Sequence, residues 1–75
     1  MTNGTNSNKK VNTNFVKSQM ALHGHTYKDL AEMLGKSKAS VHNKLAGFRN
    51  FTVNELAKMS ELYNVPIDYF FSKQG

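Results

Sequence analysis

The stretch from Thr26 to Gly47 reads TYKDLAEMLGKSKASVHNKLAG and holds two short helical patterns hinged at Leu34-Gly35-Lys36-Ser37. Thr26 is placed to cap the first pattern, and Asp29 three residues on can reach back to its amide, a capping box with Asp in the place of Glu or Gln. Leu30, Ala31 and Leu34 then recur at helical spacing on one face, leaving Lys28, Asp29 and Glu32 outside. Ala31 is short where a second helix has to come close. Gly35 ends this helix, because a residue past a helix terminus often needs the left-handed conformation that glycine takes without penalty. Ser37 caps the next helix, whose inward residues are Val41 and Leu45, and Gly47 closes it.

Two helices joined by so tight a Gly-containing turn form a helix-turn-helix, a unit that can lay its second helix in the DNA major groove. The faces left outside by the Val41 and Leu45 assignment hold Lys38, Ala39, Ser40, His42, Asn43 and Lys44. No acidic residue occurs between Glu32 and Glu55, while Lys36, Lys38, Lys44 and Arg49 all lie in that interval. The groove offers acceptors on guanine, an acceptor and a donor on adenine, and a methyl group on thymine. Lys38 suits guanine, Asn43 suits adenine in a bidentate manner, Ala39 suits a thymine methyl and His42 can donate to a base. Ser37, Ser40, Lys36, Lys44 and Arg49 suit the phosphate backbone, as do Thr26 and Tyr27 at the start of the preceding helix.

Outward from this pair the chain supplies scaffold. Residues 1–13, MTNGTNSNKKVNT, have only Val11 to bury and are expected to be a disordered tail, with the folded domain running over 14–72. Lys9 and Lys10 make the tail a candidate minor-groove arm. Asn14 is expected to cap a first helix ending at Gly24, with Val16 and Met20 inward and Phe15, Gln19 and Leu22 as a neighbouring stripe. The segment from Phe48 to Phe51 reads as a connection. Thr52 and Glu55 form a second capping box, followed by Leu56, Met59, Leu62 and Tyr63 as the buried side of a helix ending at Asn64. Pro66 opens a last short helix with Ile67 and Phe70 inward. The expected architecture is an all-α bundle of five short helices. Tyr69 and Phe71 belong either to core packing or to a contact between two copies.

Length and composition narrow the function classes. With 75 residues, a formal net charge of +5 and no cysteine, the chain fits one small domain without disulfide or thiolate-metal support and favours a polyanionic partner. No run is long and apolar enough for a membrane span and the polar N-terminus is unlike a signal peptide, so a cytoplasmic protein is expected. His23, His25 and His42 lack the cysteine or carboxylate company of a metal site, so no metal and no cofactor are expected. No serine sits in an activating setting and glycines form no phosphate-cradling loop, so the chain does not read as an enzyme.

LAEMLGKSKASVHNKLAG followed later by FTVNEL resembles the phage repressor and Cro type of helix-turn-helix domain, the lambda-repressor-like fold, over Asn14 to Phe71. The resemblance implies a five-helix bundle that binds operator DNA, commonly as a dimer on half-sites about one helical turn apart. It also implies DNA contacts at Thr26, Tyr27, Ser37, Lys38, Ala39, Ser40 and Asn43, and in the loop around Arg49 and Asn50. Many members of that family pair a buried Arg with a Glu where this chain has Met20 and Leu45, an apolar exchange that such folds accept. Two functions from different classes follow: a sequence-specific repressor of the phage or mobile-element kind on a palindromic operator, or an antitoxin or antirepressor acting through protein contacts at the aromatic C-terminal face.

Overall fold

A computed structural model describes residues 10–71. Four α-helices, α1 (Thr13–Leu22), α2 (Tyr27–Leu34), α3 (Lys38–Leu45) and α4 (Val53–Tyr63), precede a 3-10 helix at Ile67–Phe70. The fifth helix is thus present in the tighter form, consistent with its four-residue length, since the poorer hydrogen-bond geometry of a 3-10 helix confines it to short pieces. α2 packs chiefly on α3, α1 on α3 and the 3-10 helix, and the latter also on α4.

Each α-helix begins on a side-chain cap, at Asn12, Thr26, Ser37 and Thr52. The first of these corrects the sequence expectation: Asn12, and not Asn14, accepts from the Phe15 amide at 3.0 Å. Residues 11–13 therefore belong to the bundle and not to the tail. Val11 pairs with Phe71 in an antiparallel bridge, and the Asn12 amide donates to the Phe70 carbonyl at 2.6 Å, joining the two ends of the described chain.

The helices also end alike. In each, the amide of the residue past the left-handed or turning position reaches five residues back, as with Lys36 to the Ala31 carbonyl at 2.9 Å and Val65 to the Ser60 carbonyl at 3.1 Å. Gly35 holds φ 70° between α2 and α3, which directs the chain into Ser37 and sets the recognition unit's angle. Asn64 does the same after α4 at φ 57°, the one non-glycine with positive φ among the described residues.

The core unites Val16, Met20, Leu30, Ala31, Leu34, Val41, Leu45, Leu56, Met59, Tyr63 and Phe70 with Phe51. Phe51 was expected in a connection; it is 6% exposed and closes the core beneath the loop that follows α3. Leu62 departs in the other direction, 37% exposed at the edge of the α4 stripe, and Leu22 is exposed at the end of α1. Met20 and Leu45 are both buried, in keeping with an apolar pair at those positions.

Candidate nucleic-acid interface

The recognition unit is held from within by the inward face of α3, where Val41, Lys44 and Leu45 are buried at i, i+3 and i+4. The opposite side faces out. Lys38, Ala39 and His42 are exposed, with Ser40 and Asn43 half-buried at the margins of the same face. Lys36 before the helix, and Arg49 and Asn50 after it, are exposed as well. Lys36, Ser40, Arg49, Asn50 and Phe48 line one open concavity beside α3, so cationic and amide groups from the turn, the helix and the loop converge there.

Lys44 corrects the sequence reading. It was expected outside as a phosphate contact, yet it is 8% exposed, and its Nζ donates to both carboxylate oxygens of Glu55, at 2.8 and 2.6 Å. The physical reason is helical geometry, because a residue three after Val41 and adjacent to Leu45 falls on their face and not opposite it. Its ammonium also lies 6.0 Å from the Phe51 ring centroid. Glu55 is 3% exposed and accepts the Thr52 amide at 2.8 Å as well, completing the capping box of α4. Burial acts to raise the Glu55 pKa, but hydrogen bonds from Lys44 and the Thr52 amide, with the charges of Lys44 and Lys36, hold the carboxyl below its ordinary value. The buried ion pair of this domain thus joins α3 to α4.

The start of α2 is also more committed than expected. The Thr26 amide donates to Asp29 at 2.9 Å and the Asp29 amide to the Thr26 hydroxyl at 3.1 Å, so neither of these amides is left for a phosphate. The Asp29 carboxyl is held below its ordinary value, chiefly by the hydrogen bond from the Thr26 amide and then by its hydroxyl. Tyr27 and Lys28 keep the helix-start amides that have no acceptor within an α-helix. The Tyr27 ring stands 5.8 Å from that of His42, which ties the start of α2 to the outer face of α3. Ser37 is occupied in part as a cap, accepting from the Ser40 amide at 3.1 Å.

A family model described as helix-turn-helix matches residues 16–70. The chain belongs to this Cro/C1-type helix-turn-helix family. Among curated proteins and solved structures, no significant match is found. Membership makes the helix-turn-helix domain a DNA-binding transcriptional regulator, and the family is not one of enzymes. No helix among the described residues is long and apolar enough to cross a membrane.

Other residues singled out in the sequence fall away from the α3 face. Phe70 is fully buried, Phe71 is half-buried against the core, and Tyr69 is 54% exposed with its ring edge-on to Phe15 at 6.2 Å. The three histidines divide: His42 lies on α3, whereas His23 and His25 gather around Tyr63, with the His25 Nδ1 at 3.1 Å from its hydroxyl. Burial pushes the Tyr63 pKa up to about 12. No group of three or more His, Cys, Asp or Glu suited to a metal occurs among the described residues. Lys10 is exposed, and Lys9 lies outside the described residues. Sequence reasoning passed over Phe48, 80% exposed beside Arg49, for which the only signal was its position just past Gly47.

Proposed function

We propose that the chain is a sequence-specific transcriptional repressor of the phage or mobile-element kind, acting in the cytoplasm as a homodimer on a palindromic operator that overlaps a promoter. The observation that carries the reading is the acid-free outward face of α3, anchored from behind by Val41, Lys44 and Leu45. Lys38, Ala39, His42 and Asn43 read base edges, with Asn43 on an adenine and Lys38 on a guanine. Ser37, Ser40, Lys36, Arg49 and Asn50 grip phosphates, joined by the α2 start at Thr26 and Tyr27. Lys9 and Lys10 reach the flanking minor groove, and Tyr69 with Phe71 supplies the contact between two copies. No cofactor is required.

Selection of bound duplexes from a random pool tests this. The reading expects enriched sequences made of two symmetric half-sites about one helical turn apart, their capture falling steeply with salt. A pool that emerges without enrichment, from a protein that is captured instead by a toxin-like or repressor-like protein through Tyr69, would transfer the function to the antitoxin or antirepressor class.

A further inference from the structure

We propose that the buried Lys44–Glu55 pair positions the DNA interface by holding the loop 46–51 at a fixed height against the outer face of α3, an inference that rests on the DNA-reading role proposed above. The loop carries Arg49 and Asn50 on the rim of the concavity beside α3. Its first residue follows Leu45 directly, and its last, Phe51, precedes the Thr52 cap of α4. The ion pair therefore closes the loop at its base, from a residue just before it to one just after it. Both partners are nearly inaccessible, with side chains 10% and 4% exposed.

Three further contacts make the base rigid. Glu55 shares its carboxylate between Lys44 and the Thr52 amide, so the end of the loop and the recognition helix are tied to the same group. Phe51 is buried beside the Lys44 ammonium. The Phe48 amide donates to the Asn43 carbonyl at 2.9 Å, linking the loop to the residue assigned to base reading. Phosphate contacts set register and orientation for the base contacts, so the height of Arg49 and Asn50 determines where Lys38 and Asn43 arrive in the groove. The positive charge of Lys44 is used internally and does not neutralise a phosphate. Lys44 and Glu55 are accordingly positioning residues, and their effect on affinity is expected to be independent of salt.

The test uses the full chain and the duplex selected from the random pool, titrated at several salt concentrations. Replacing the pair by Lys44→Met with Glu55→Leu is expected to leave a helical, cooperatively melting protein whose affinity falls by about tenfold or more while its salt slope equals that of the wild type. Lys44→Arg, which can keep the ion pair, is expected to bind close to the wild type. Affinity of the double variant within about twofold of the wild type would overturn the proposal, and so would a salt slope shallower by about one, since that is the mark of a lost phosphate contact. Should the double variant melt below the assay temperature, Lys44→Gln with Glu55→Gln takes its place under the same criteria. A wild-type chain that selects no duplex at all would instead remove the DNA-reading role, leaving the two failures distinct.

Discussion

At Glu55 two opposing effects act on one carboxyl. Burial disfavours its charge, while Lys44, the Thr52 amide and the nearby charge of Lys36 favour it, and the second group prevails. Its pKa in the folded chain is therefore below that in the unfolded chain. The stability linked to this difference is present above the unfolded carboxyl value and is lost as pH falls through the folded one. A thermal melt series taken downward in pH should show the wild type losing stability below about pH 4.3. Glu55→Gln should lose less in acid but melt far lower at neutral pH, because a buried ammonium left without its partner costs about 3–5 kcal/mol. A neutral-pH melt for Glu55→Gln within about 4 °C of the wild type, a shift worth no more than about 1 kcal/mol in a domain of this size, would show that the pair is not closed to solvent. The sequence displayed both residues, but reading α3 through Val41 and Leu45 alone turned Lys44 outward. Including the third position of the stripe would have turned it in.

Helix ends were the most legible elements, because a cap is a local matter of one side chain and one or two amides. The two Thr-based capping boxes, the Ser37 cap, the glycine stop after α2 and the asparagine stop after α4 all stand as their residue types imply. The start of α1 was less legible, since both Asn12 and Asn14 offer a capping side chain and the choice depends on a tertiary bond from Asn12 to Phe70. The same holds for Phe51, whose burial arises from the way the loop crosses the core and not from any periodicity around it. Gly35 is where an element boundary governs the interface. A Cβ there would meet nothing within 4 Å, so the penalty for Gly35→Ala is purely the left-handed backbone, at φ 70°. That substitution should cost about 1–2 kcal/mol, which a thermal melt would read as a fall of several degrees. An alanine variant as stable as the wild type would show that the turn between α2 and α3 can take another form.

On the scale of the whole molecule, a helix-turn-helix bundle with a net charge of +5 is expected to owe much of its DNA affinity to counterion release. Arg49→Ala should make the salt slope shallower by about one, whereas Lys44→Met should leave it unchanged. The proposed contact between two copies lies elsewhere, at the closing aromatics, where Phe70 fills the core and Tyr69 stays half outside. Sedimentation of the selected duplex with the protein should show two copies bound, reduced to one by Tyr69→Ala. The bundle and its recognition unit could be read from spacing and caps, but that Lys44 in this cationic stretch anchors the helix from within required the fold. The most direct test compares wild type and Asn43→Ala across the selected duplex and all its single base-pair variants. The account predicts that the variant loses about 1–3 kcal/mol of discrimination at one position of each half-site and none elsewhere. An unchanged profile, with every base pair discriminated as before, would contradict it.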